Sequence, residues 1–341
     1  MAAKSIKILG IDTSCDDTAV ALLEVKNQKF KILSNVVSSQ VKLHQKYGGV
    51  YPSLAKREHQ KNLPVVFRKA LRLASLTQGK PDLIGVTVGP GLEPCLWQGI
   101  NFAKDLAKQF KKPLIPVNHL EAHILANFID GSSTAIKFPA ICLVVSGGHT
   151  QLILMEKIGQ YKILGETRDD AAGECFDKAA RILGLGYPGG PAIAAEAAKY
   201  KIQNTRYKIL LPRPMIHQKN YDFSFSGLKT AVLYKVRSEK HNKAAMCAEI
   251  QQAIIDVLIY KTIKAAKNYK VKSIILGGGV AANNELRKQF KEKIKKEMPN
   301  SKFYIQDSKF CTDNAVMIGM TAFFHQSKSP KNIKAEANLQ I

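Results

Sequence analysis

Three stretches of the chain share one pattern, an apolar run that breaks into small or polar residues. They are residues 6–25 (IKILGIDTSCDDTAVALLEV), 140–158 (AICLVVSGGHTQLILMEKI) and 271–287 (VKSIILGGGVAANNELR). Apolar runs of this length, rich in Val, Ile and Leu and bounded by turn residues, predict β-strands. In the first two a second apolar run follows at once, which predicts hairpins with polar tips at residues 12–18 and 146–150. In the third the glycines open a helical pattern. The hairpins start 134 residues apart, at Ile6 and Ala140, so the chain reads as an internal duplication of one anion-gripping unit.

Between the hairpins, residues 82–110 read as strand, Gly-Pro loop and amphipathic helix, and Pro113 and Pro116 lead into a further short strand. Residues 167–199 look helical apart from GLGYPGGP at 184–191, whose glycines and prolines cannot continue a helix. This is α/β alternation. A small, polar stretch at 128–138 suggests a boundary, giving domains 1–130 and 131–325, with a Lys-rich, flexible tail at 326–341. Two halves, each opening with a hairpin directed at a shared central cleft, resemble the actin, Hsp70 and sugar-kinase (ASKHA) architecture, which implies a two-domain α/β fold with a duplicated mixed-sheet core.

Length agrees, since 341 residues exceed one ordinary core. No segment reaches the roughly 18 uncharged apolar residues of a membrane span. The N-terminal MAAKSIKILGID has neither an apolar signal core nor an Arg-rich presequence, so a cytoplasmic location is expected. The six cysteines form no CxxC pair, which predicts buried thiols. A net charge of +24 favours a polyanionic partner such as RNA.

The run VNHLEAHILANF places His119 and His123 at i and i+4, on one face of a helix, where the imidazoles can share an iron or zinc ion. A metallopeptidase helix needs HExxH; here Glu121 sits two positions on, about 200° around the helix. Asp313, in FCTDNAVMIG, is the candidate third ligand; it begins an apolar helical stretch and could also serve as its N-cap. Two histidines and one carboxylate would leave coordination positions open to substrate.

VVSGGHT offers Val144, Val145, Ser146, Gly147 and Gly148 as a small-residue turn whose N–H groups can approach an anion. GGGVAANN follows a strand and starts a helix, where Asn283 could hydrogen-bond a base or ribose. Asp177, in GECFDKAAR, could accept from ribose hydroxyls, and Gly190 could admit the sugar closely. A P-loop is excluded, because no GxxxxGK[ST] occurs.

Seven motifs in order, LGIDTSCDDTAVAL, NHLEAH, VVSGGHTQL, GECFDKAARILGLGYPGGP, FSFSGLKTAV, GGGVAANNELR and CTDNAVMIG, closely resemble the TsaD/Gcp/Kae family of tRNA threonylcarbamoyladenosine synthesis proteins, in its bacterial or organellar branch. The resemblance implies transfer of a threonylcarbamoyl group from threonylcarbamoyl-AMP to the exocyclic amine of adenosine 37, in tRNAs that read codons starting with A. It also implies that His119, His123 and Asp313 hold an iron or zinc ion, iron foremost, and that residues 144–148, Asp177, Gly190 and Asn283 contact the adenylate, with ATP or ADP as other occupants. Asp16 matches an acid near the reacting groups. Implied partners are tRNA, a shorter TsaB-like paralogue and a TsaE-like ATPase.

The sequence departs from that family at several places. Asp12 and Asp17 stand where glutamates are usual, Ala194 replaces an acidic residue that some relatives carry, and Ser53 and Lys56 alter the usual GGVVPELASRDH. Three other readings compete: a metal-dependent endopeptidase, against which the misplaced Glu121 weighs; a non-catalytic nucleotide-binding scaffold, which predicts missing metal ligands although all three are present; and a small-molecule kinase, for which no residue pattern supplies a substrate pocket.

Overall fold

The apolar runs at 6–25 and 140–158 fold as antiparallel hairpins, with Asp12 opposite Ala19 at one tip and Val145 opposite Thr150 at the other. The computed structural model describes residues 5–75, 80–129, 136–203, 209–238, 242–327, 330 and 332–341. In chain order the elements begin β1 (Ile6–Asp12), β2 (Asp17–Lys26), β3 (Lys29–Ser39), α1 (Val41–His44), α2 (Pro52–Leu73), β4 (Leu83–Gly89), α3 (Glu93–Phe110), β5 (Leu114–Asn118) and α4 (His119–Leu125). They continue with β6 (Ala140–Val145), β7 (Thr150–Lys157), β8 (Gln160–Glu166), α5 (Ala172–Ile182), α6 (Gly189–Gln203) and α7 (Ser226–Ser238). Last come α8 (Lys243–Asn268), β9 (Ser273–Gly277), α9 (Asn284–Glu297), β10 (Lys302–Ile305) and α10 (Ala315–Phe324).

The described strands form two five-stranded sheets, ordered β3-β2-β1-β4-β5 and β10-β9-β6-β7-β8. Traversed from β8, the second sheet repeats the first strand for strand. In each, three antiparallel strands precede two parallel ones. The duplication seen in two hairpins therefore extends to whole sheets. The two units are Met1–Ala135 with Thr312–Ile341, and Ile136–Cys311.

The first unit includes α10, which the sequence placed in the domain 131–325. Its sequence, AVMIGMTAFF, is apolar nearly all round, so the helix is stable only when buried. Gly10 of β1 and Gly85 of β4 make room for it. A Cβ at Gly10 would lie 2.1 Å from the Ala315 carbonyl oxygen, and one at Gly85 would lie 2.6 Å from the Ala322 Cβ. The tail is also corrected, because its described residues are held on this unit. Glu336 N donates to Val88 O, Gly91 N to Ala337 O and Lys104 Nζ to Ile333 O, while Ile333 is buried. Apolar Ile333 and Leu339 join the core around β1 and α3, which outweighs the tail's lysines. The boundary expected at 130/131 lies outside the described residues.

In the second unit the core gathers β6, β7, α5, α8 and β9. Helix α8, with 17 buried residues, shows little amphipathic contrast because it is enclosed on most sides. Among the described residues no helix is long and apolar enough to cross a membrane. The six cysteines are free thiols, five of them buried.

Candidate metal centre and anion-binding loops

Strands β1, β4 and β5 run parallel, and the polar residues that follow β1 and β5 lie at their carboxyl ends, the usual side for sites in such sheets. Helix α4 starts directly after β5. Asn118 caps it, its side chain accepting from Leu120 N and Glu121 N at 2.9 and 3.2 Å. The cap fixes the helical phase, so His119 and His123 fall side by side, ring centroids 4.7 Å apart.

Both Nε2 atoms lie 3.3 Å from one oxygen, Oδ1 of Asp313. The three ligand atoms lie within 4.8 Å of one another. Asp313 does not cap α10. Its neighbour Asn314 does, accepting from Val316 N and Met317 N, and this leaves the Asp313 carboxylate for the histidines. Ser14 Oγ donates to Asp313 Oδ2 at 3.5 Å. Asp12, fully buried, accepts from Ser14 N through Oδ1 and brings Oδ2 to 3.6 Å from His119 Nδ1.

These residues fit a divalent cation. Nitrogen and oxygen ligands at the usual zinc distances, arranged tetrahedrally, sit about 3.3 Å from one another, which is the spacing from Asp313 Oδ1 to each histidine Nε2. Nε2 of His123 is buried without a hydrogen bond, a costly state that coordination through that nitrogen relieves. The electrostatics agree. Burial would raise Asp313, but the two imidazoles outweigh it and hold its carboxyl far below the usual range. Burial would lower His119, but Asp313 and Asp12 raise it to about 9. His123 is lowered, chiefly by burial. Asp12 is raised by burial, with His119 opposing.

Asp16 belongs to the same hairpin turn. Burial and then the charge of Asp313 raise its carboxyl, whose Oδ2 is buried without a hydrogen bond. Asp17 is pushed up to about 7, first by burial. His59, which no motif spacing singled out, fixes this turn: Nε2 donates to Cys15 O at 2.9 Å and Nδ1 faces Thr18 Oγ1 at 2.8 Å. Glu121 is held by His325, whose Nε2 lies 2.8 and 2.9 Å from its two oxygens. A carboxylate so engaged is not placed as the base of a metallopeptidase.

The second unit holds the other candidates. Val144 and Val145 are core residues of β6, so only their backbone is available for recognition. Ser146 closes the turn, its oxygen Oγ accepting from His149 N at 3.1 Å, and a Cβ at Gly147 or Gly148 would meet nothing within 4 Å. Gly173 packs beneath this turn and donates to Ser146 O, an approach no side chain permits. The third glycine run differs from expectation: a 3-10 turn, Gly279–Ala282, intervenes before α9. Asn283 caps α9 through Leu286 N, and its amide donates to Gln251 at 2.8 Å. Asp177 accepts from Gly189 N at 2.7 Å at the start of α6, where Gly190 borders open space.

Twin sheets of one strand order define a two-domain ASKHA-like α/β protein. The fold is similar to HypF in its phosphate- and nucleotide-bound form, with a TM-score of 0.61 and 12% identity, covering 97% of this chain and 47% of HypF. It is also similar to component A of the (R)-2-hydroxyglutaryl-CoA dehydratase of Acidaminococcus fermentans, with a TM-score of 0.54 and 15% identity, covering 95% of this chain and all of that one. Such identities speak for fold alone. The family model described as TsaD, tRNA N6-adenosine threonylcarbamoyltransferase, matches residues 31–320. The enzyme of that name from Thermosipho africanus is 48% identical over 340 residues, 98% of this chain and 99% of the relative. The chain therefore belongs to the TsaD family of tRNA-modifying acyltransferases.

Proposed function

We propose that the chain transfers the threonylcarbamoyl group of threonylcarbamoyl-AMP to the exocyclic amine of adenosine 37, in tRNAs reading codons that begin with A. The observation that carries the metal part of this reading is the convergence of two imidazoles on Asp313 Oδ1, both at 3.3 Å. His119, His123 and Asp313 would hold one divalent ion, and the two-histidine, one-carboxylate set favours Fe(2+), with Zn(2+) as the other fit. Bound there, the ion supplies Lewis-acid stabilisation of charge developing on the carbamoyl oxygen.

In the reaction a bond forms between the adenosine N6 and the carbamoyl carbon, the bond from that carbon to the phosphate oxygen breaks, and AMP leaves. The amine loses a proton, and we assign to Asp16 either its acceptance at Oδ2, which is buried without a hydrogen bond and whose carboxyl burial and Asp313 raise, or the orientation of the substrate. The backbone of Val144, Val145 and Ser146, with the open turn at Gly147 and Gly148, would bind the leaving adenylate. Asp177 and Gly190 would serve the nucleoside, and Asn283 would act through the helix start it caps. ATP or ADP would use the same loops. The excess positive charge would attract the tRNA backbone. A TsaB-like paralogue and a TsaE-like ATPase are the partners this role calls for in a bacterial cytoplasm.

The test is transfer from preformed threonylcarbamoyl-AMP to tRNA. Replacing both His119 and His123 by alanine should abolish it; normal transfer by the folded double variant would overturn the reading.

A further inference from the structure

Glu121, between the two histidines, has no part in the chemistry above, yet it is 6% exposed on a helix whose seven residues are all buried. A carboxylate is costly in such a place unless partnered. Its partner is His325, 204 positions away and 9% exposed, with both carboxylate oxygens within 2.9 Å of Nε2. An ionised carboxylate only accepts, so Nε2 is the donor.

The two helices joined by this contact are the ones that present the three ligands. Asp313 stands just before the N-cap of α10, and His325 is that helix's C-cap, its N–H donating to Thr321 O and Ala322 O at 3.2 Å. Ten residues of helix, a strut about 15 Å long, thus connect Asp313 to His325. On α4, Glu121 lies about 200° around the axis from each histidine, so it faces away from the imidazoles. Seven residues are too few for a helix to keep its position by its own hydrogen bonds, and tertiary contacts set its rotation. Turning α4 about its axis would carry the imidazoles away from Asp313 and pull Glu121 off His325 together.

We infer that Glu121 and His325 are positioning residues for the metal centre: their buried contact fixes the rotation of α4 against α10, and thereby the alignment of His119 and His123 with Asp313. This rests on the metal reading above. Outer partners that orient ligands typically contribute 10–100-fold in metal affinity.

The experiment is a Co(2+) titration of the full chain, following absorption of the bound ion, for wild type, Glu121→Ala, Glu121→Gln, His325→Ala and the double variant E121A/H325A, with thermal unfolding in metal-free buffer alongside. Glu121→Ala and His325→Ala should each weaken Co(2+) binding about 10–100-fold and shift the absorption spectrum. The double variant should be no weaker than either alone, and Glu121→Gln, which keeps an oxygen for His325, should recover most of the affinity. Wild-type affinity in the folded single variants, or losses that multiply in the double variant, would overturn the inference. Should Glu121→Ala not fold, Glu121→Gln against His325→Ala decides it: equal affinities would overturn it. Failure of the metal reading looks different: wild type itself would take up no Co(2+), or would keep it after His119→Ala and His123→Ala.

Discussion

Gly10 is where the packing of the first unit and the geometry of the proposed metal centre meet. A Cβ there would sit 2.1 Å from the carbonyl oxygen of Ala315 and 2.8 Å from the nitrogen of Gly319, both backbone atoms of α10. Ordinary carbon–oxygen contacts begin at about 3.3 Å, so Gly10→Ala requires α10 to retreat by about 1 Å. No side-chain rotation can relieve the clash. Overpacking of a closed core costs about 1–3 kcal/mol, and with backbone on both sides the upper end, about 3 kcal/mol, is expected. Asp313 precedes Ala315 by two residues and must move with it, whereas metal–ligand distances tolerate only about 0.2 Å. Urea unfolding followed by circular dichroism should show the destabilisation, and a Co(2+) titration at least a tenfold weaker site. Gly186→Ala, where a Cβ meets nothing within 4 Å, is the control and should change stability by less than about 0.5 kcal/mol. If Gly10→Ala behaved like that control in both measurements, the close seating of α10 on β1 would be refuted.

Three further outcomes follow from single contacts. Asn314→Ala removes the cap of α10 and should cost about 1 kcal/mol in urea unfolding, with weaker Co(2+) uptake because Asp313 loses its fixed neighbour. Asp169 accepts from Ser224 Oγ, Ser226 Oγ, Phe225 N and Ser226 N; burial would raise its carboxyl, but these donors lower it. Its folded pKa is depressed, so its contribution is full above the unfolded value near 4 and lost as pH falls through the folded one; because the carboxylate is exposed and screened by solvent, Asp169→Ala should cost no more than about 1 kcal/mol at pH 7, and the difference from wild type should shrink as pH falls below about 4. Lys261 is lowered to about 8, first by burial and then by Lys264. The unfolded chain then holds more protons between about pH 8 and 10.5, so stability relative to Lys261→Met should rise across that window, by about 3 kcal/mol at most, and a flat difference would contradict the burial of the charge.

The hairpins and the histidine pair were legible because their signals are local. Strand periodicity and the i, i+4 spacing need no knowledge of the rest of the chain. Asp313 was singled out as the candidate third ligand, but two adjacent polar residues compete for the cap of α10, and only the backbone path shows that Asn314 takes it. Asn283 illustrates the same limit, since capping of α9 and contact with a ligand use one side chain. The partner of Glu121 had no local trace, lying 204 residues away. The tail looked frayed because its lysines dominate the composition, whereas Ile333 and Leu339 decide its packing. Helix α8 carried no clear period because it is buried on most sides.

The most direct test is mass spectrometry of tRNA nucleosides from a strain depleted of this chain and supplied with either wild type or His119→Ala/His123→Ala. Threonylcarbamoyladenosine should fall on depletion, return with wild type and stay absent with the double variant. Its persistence after depletion, or its return with the double variant present at wild-type abundance, would contradict metal-assisted threonylcarbamoyl transfer by this protein.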